Sequence, residues 1–185
     1  MSLTRREAMQ SAAVGALTLT FAGANGLLTP AQARAAGVPF VTLSGNEVAT
    51  LDALGDVLLP GARTDGISHF IDQQIGVPAN EALLLLRYLD FPPPYASFYQ
   101  GGLAALDAAS QASYGAPFQD LDAANKNNLV VQMATGTPTG WIGIPAPLFY
   151  FVVRSDAIDV VYGTVAGFDR LGFPYMPHIL PPRNW

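Results

Sequence analysis

The amino-acid sequence predicts an all-α fold: a single helical domain that ends in a long irregular tail. Three observations point there. Apolar residues recur at three- and four-residue spacing from Val38 onward, strict alternation is short and rare, and proline and glycine fall where helices would stop. Half of the 185 residues are hydrophobic, only 12% are charged and mean hydropathy is +0.28. That is enough apolar surface for a sizeable core, and it argues against disorder.

The elements follow in order. Ser44-Gly45-Asn46-Glu47 has capping-box spacing, and Val48, Leu51, Leu54 and Leu58 then mark one helical face that Pro60-Gly61 ends. A short helix is predicted around Ile67 to Ile75, with Phe70 and Ile71 inward. Ala79 to Leu89 holds the run Leu83-Leu84-Leu85-Leu86, apolar almost all round, which predicts a fully buried helix before the stiff Pro92-Pro93-Pro94. A long helix follows with Tyr95, Phe98, Gly102, Leu103 and Leu106 on its inner stripe, ending at Tyr114-Gly115. Asp120 or Asp122 can cap the next, which carries Leu129, Val130 and Met133 and stops before Gly136. Pro145 to Pro147 can open a last long helix through Leu148, Phe149, Phe151 and Val152. Asp159 to Tyr162 is the best strand candidate. The domain is expected to span residues 36–185, its tail running from about 162.

Residues 1–35 have a different character and predict a twin-arginine signal peptide. Arg5-Arg6 stands just ahead of a weakly hydrophobic stretch from Ala12 to Leu28, rich in alanine, glycine and threonine. Ala31-Gln32-Ala33 and Ala33-Arg34-Ala35 are small-x-small cleavage sites, so Ala33 and Ala35 mark the cleavage region. An uncleaved membrane anchor is the competing reading, weakened by Asn25, Gly26 and Pro30.

Charge and composition exclude several functions. Fourteen acidic residues stand against nine basic ones, and removing Arg5, Arg6 and Arg34 with Glu7 takes the formal charge from −5 to −7. No basic patch is left to neutralise phosphates, which argues against nucleic acid. Cysteine is absent, so this chain carries no disulfide, thiolate metal site or covalently attached haem.

Candidate chemistry is sparse. Gly136, Gly140 and Gly143 lack the spacing and the preceding strand of a dinucleotide-binding loop. Only His69 and His178 are available as general acids or bases; His69 and Asp72, three apart, could share a helix face as a ligand pair, which is too few for a metal site, so His69 reads as a helix-surface or capping histidine. No catalytic, cofactor-binding or metal residue is therefore expected. The tail is the opposite case, since Phe168, Leu171, Phe173, Tyr175, Met176, His178, Ile179, Leu180 and Trp185 lie among glycines and prolines. Such a segment is too apolar to remain in water, and it packs on the chain's own core or in a partner's groove. Trp141, Phe168, Phe173, Tyr175, Met176, His178 and Trp185 are the expected partner interface.

The segment Leu43 to Gly61, with Leu51-Asp52-Ala53-Leu54-Gly55-Asp56-Val57-Leu58-Leu59-Pro60, resembles the opening helix of the gluconate 2-dehydrogenase subunit 3 family. Phe70-Ile71-Asp72, Gly101 to Asp107, Tyr114-Gly115-Pro117-Phe118-Leu121 and Asp159 to Tyr175 resemble its later segments in order. The resemblance implies a non-catalytic small subunit accompanying an FAD-dependent large subunit of the glucose–methanol–choline (GMC) type, which oxidises a sugar, sugar acid or glycoside. It implies FAD in that large subunit, haem c in a multihaem cytochrome c as a third subunit, and a periplasmic complex, with membrane association through it. The small subunit would stabilise its partner and escort it through twin-arginine export. The open alternatives are a stand-alone periplasmic ligand-binding or enzymatic protein, and a membrane-held structural subunit that keeps its leader.

Overall fold

A computed structural model describes residues 17–23, 26–136 and 138–173. A two-residue antiparallel pair comes first, β1 (Leu19–Thr20) with β2 (Leu27–Leu28), in the register Leu19 to Leu28 and Thr20 to Leu27. Eight helices follow among the described residues: α1 (Pro30–Ala35), α2 (Gly45–Leu58), α3 (Ile67–Ile75), α4 (Leu85–Tyr88), α5 (Ala96–Tyr114), α6 (Ala123–Thr135), α7 (Ala146–Tyr162) and α8 (Val165–Arg170). The all-α expectation holds.

The caps explain the boundaries. Ser44 and Glu47 form the predicted capping box of α2, Asp122 rather than Asp120 accepts from the Asn125 N–H to start α6, and α7 opens directly after Pro145. Thr29 and Gln32 make a second capping box at α1, within the stretch expected to be the leader. Helices α5 and α6 end on Gly115 and Gly136, both left-handed.

Helix α2 packs against α3, α5, α6 and α7, while α7 packs against α3, α4, α5, α6 and α8, so these two organise the core. Leu51 and Leu54 of α2 meet a shared interior with Ile67, Phe70, Tyr99, Leu103, Phe149 and Val152. Helices α5 and α7 approach closely at Gly102, where an added Cβ would lie 2.2 Å from the Phe149 ring. This contact explains a glycine in mid-helix, a position that otherwise disfavours it.

Three local expectations are corrected. The run Leu83 to Leu86 does not build a fully buried helix: only Leu85–Tyr88 is helical, and Leu83, Tyr88 and Leu89 are exposed. An apolar run alone does not distinguish a helix from an extended segment threading into a core. Asp159 to Tyr162, the strand candidate, is the last turn of α7. The tail is also not irregular from residue 162, because Thr164 caps the short α8. No helix among the described residues is long and apolar enough to cross a membrane.

Candidate functional site

Four carboxylates within the domain tie its helices and connecting segments to one another. Asp52, on the inner face of α2, accepts from the Ser68 hydroxyl at 2.7 Å and from Arg34 Nη1 at 2.8 Å, with Arg63 Nε 3.6 Å away. Asp72 on α3 accepts three consecutive backbone N–H groups, from Val41, Thr42 and Leu43, at 2.8, 2.8 and 2.7 Å. It thereby fastens the strap between α1 and α2 onto α3. Asp107 of α5 accepts from the Phe118 N–H and Asn46 Nδ2, both at 3.1 Å, and ties the turn at residues 118–120 to α2.

Asp156 of α7 is fully buried and accepts from the Tyr99 hydroxyl at 2.6 Å. The Leu85 N–H reaches its other oxygen at 3.4 Å, which holds the start of α4 against α7. Burial pushes the Asp156 carboxyl up from 3.8 to about 7, against the opposing pull of those two hydrogen bonds. Burial, and next the neighbouring Asp156, likewise raise the Tyr99 phenol well above its ordinary value. Both groups belong to one locked network between α4, α5 and α7.

His69 is buried, which corrects the helix-surface expectation. Its Nε2 lies 3.0 Å from the Val38 carbonyl, an acceptor only, so Nε2 carries the proton. Nδ1 is buried without a partner, and the ring packs on Phe40, their centroids 4.3 Å apart, with Phe21 at 6.4 Å. Burial lowers its pKa, partly offset by the Val38 bond, as expected where a second N–H would find no acceptor. His69 and Asp72 do share α3, but each turns to a different stretch of backbone. Among the described residues no group of three His, Cys, Asp or Glu side chains is placed to hold a metal ion.

An open groove of about 630 Å³ runs between α2 and α6, lined in part by Asp52, Asp56, Arg63, Gln119 and Lys126. Its inner carboxylates are engaged, Asp52 as above and Asp56 by the Arg63 N–H at 3.0 Å. Convergent, unengaged polar groups are what a small-molecule site needs.

The predicted interface residues separate into three groups. Trp141 is half-buried on the chain's own core: its Nε1 donates to the Ile144 carbonyl at 2.6 Å and its ring centroid lies 6.0 Å from that of Phe149. Phe168 is half-buried in α8, and Phe173 is 63% exposed. Tyr175, Met176, His178 and Trp185 lie outside the described residues, as do Arg5 and Arg6. Ala33 and Ala35 both lie in α1, the first fully buried and the second exposed.

Sequence reasoning missed an outward apolar stripe. Phe151 and Ile158, seven residues apart on one face of α7, are exposed, with exposed Val131 on α6 and Leu171 just after α8. The signal was present: α7 is apolar on more faces than one buried stripe can use, since Phe149, Val152, Val153, Ala157, Val160 and Val161 already fill its inner side.

Two comparisons return nothing: no curated protein and no solved structure matches the chain. A family model, Gluconate 2-dehydrogenase subunit 3, matches residues 45–177, from the first residue of α2 past the end of α8. That span holds all four carboxylate anchors and well over half of the chain. The chain belongs to the gluconate 2-dehydrogenase subunit 3 family.

Proposed function

We propose that this chain is the small subunit of a periplasmic, FAD-dependent dehydrogenase, which it stabilises and carries through twin-arginine export. Membership of a dehydrogenase-subunit family is the observation that carries this reading. Two further features support it. The buried carboxylates bond to neighbouring helices and straps, which is architectural work, and apolar side chains stand outward on α7 and after α8. The partner is a GMC-type flavoprotein that holds the FAD and oxidises a sugar, sugar acid or glycoside, with a multihaem cytochrome c as a third subunit.

Docking is driven by burial. Phe151, Ile158, Leu171 and Phe173 lose water against an apolar face of the folded large subunit, at about 25 cal/mol for each Å² of apolar surface covered. The sequence from Tyr175 to Trp185 adds Tyr175, Met176, Ile179, Leu180 and Trp185 among three prolines, whose stiffness limits the entropy lost when such a segment is ordered on a partner. The leader with Arg5 and Arg6 then serves both chains, because the twin-arginine route moves folded cargo.

Affinity purification of the tagged chain from cells that also make the large subunit tests this directly. Flavin absorbance co-eluting with a second polypeptide is the expected result. A monodisperse monomer that turns over a substrate unaided would overturn it.

A further inference from the structure

The cleavage region of the leader is built into the domain. Leu17, Leu19, Phe21 and Ala33 are buried members of the hydrophobic core. The Pro30 carbonyl sits so close to Gly66, at φ 87°, that an added Cβ there would meet it at 2.3 Å. Arg34 Nη1 reaches buried Asp52 at 2.8 Å, and Gln73 Nε2 donates to the Thr20 carbonyl at 3.2 Å. These contacts come from four parts of the segment and land on α2, α3 and the turn before α3. They describe a docked element with side-chain and backbone complementarity.

Both small-x-small sites lie in α1. A peptidase that reads two small residues around one variable residue needs them on the same side of an extended strand, where side chains repeat every second position. In a helix, positions two apart point roughly 200° away from each other. Ala33 is fully buried, and Arg34 between the two alanines is tied to Asp52. Neither scissile region can be read without unfolding α1; a cut after either alanine would part Phe21 from His69, and the cut after Ala35 would also part Arg34 from Asp52.

We propose that the described residues of this segment, 17–23 and 26–36, are a permanent part of the folded domain, and that folding closes the bonds after Ala33 and Ala35 to proteolysis. This rests on the export reading only for the encounter with a signal peptidase. A chain that folds before it crosses the membrane arrives with α1 already docked and keeps the segment.

Elastase, which cleaves after small residues, provides a probe independent of export. The purified full chain and a synthetic peptide of residues 29–40 are digested side by side, with cuts located by mass spectrometry. Cleavage after Ala33 and Ala35 should be roughly 100-fold slower in the folded chain than in the peptide, since it requires local opening. The variants Phe21→Asp and Asp52→Asn leave the cleavage sequence intact and should speed those cuts in the folded chain about tenfold or more by loosening the dock. Cutting of the native chain at the peptide's rate, leaving a folded domain that starts at Arg34 or Ala36, would overturn the proposal. That outcome would leave the partnership with a flavoprotein untouched, and failure of the partnership would not alter the digestion.

Discussion

Replacing Asp156 with Asn should remove a pH dependence from the stability of the domain. The carboxyl is fully buried, and its pKa of about 7 compares with 3.8 for the group in an unfolded chain. The sign follows from proton binding. Below about pH 4 both states hold the proton, and the contribution of this group to stability is fully present. As pH rises the unfolded chain loses the proton first, so stability falls until the folded-state carboxyl also ionises near pH 7. Between pH 5 and pH 8 the loss covers roughly two pH units at about 1.4 kcal/mol each, or about 3 kcal/mol. Asparagine keeps the volume and can still accept from the Tyr99 hydroxyl, 2.6 Å from the native carboxylate, but it does not titrate. Urea unfolding of both chains at pH 5 and pH 8 measures the difference directly. The native chain should lose about 3 kcal/mol more than Asp156→Asn across that interval. Equal slopes for the two chains would refute the reasoning, because every other titrating group is common to both.

Three further perturbations probe other parts of the structure. Gly102→Ala drives a methyl group into the Phe149 ring and should destabilise the domain by about 1–3 kcal/mol, read as a lower thermal midpoint. Asp72→Ala strands three backbone N–H groups at the strap before α2, for about 2–4 kcal/mol in chemical unfolding, and should raise hydrogen exchange at Val41, Thr42 and Leu43 above that at α7. Truncation after Leu171 should leave the helical domain folded by circular dichroism yet release the large subunit in a pull-down, and unchanged assembly would move the interface away from the tail.

Much of the fold was legible because the strongest local signals were self-consistent. The Ser44–Glu47 box, the Asp122 cap and the Pro145 start are decided by a few adjacent residues, and the structure places helix ends where they fall. Leu83 to Leu86 was misread because hydrophobicity sets burial before it sets conformation, and Leu84 and Leu86 are buried while Leu83 is exposed. The anchors were harder to find. Asp156 stands in the inner stripe four residues after Val152 and four before Val160, a misfit that could have been flagged, but its partner Tyr99 is 57 residues away. Asp72 looked like half of a ligand pair with His69, and only the path of the strap reveals that it binds backbone. The local sequence around Arg34 is a leader's, and its ion pair with Asp52 depends on tertiary structure that no local pattern encodes.

The shared-export claim has one direct measurement. Arg5 and Arg6 are both replaced with lysine in cells that make the whole complex, and both polypeptides are followed by fractionation into cytoplasm and periplasm. The account predicts that the small chain and the flavoprotein both stay in the cytoplasm, with dehydrogenase activity missing from the periplasm. A flavoprotein that still reaches the periplasm while only the small chain is stranded would contradict it.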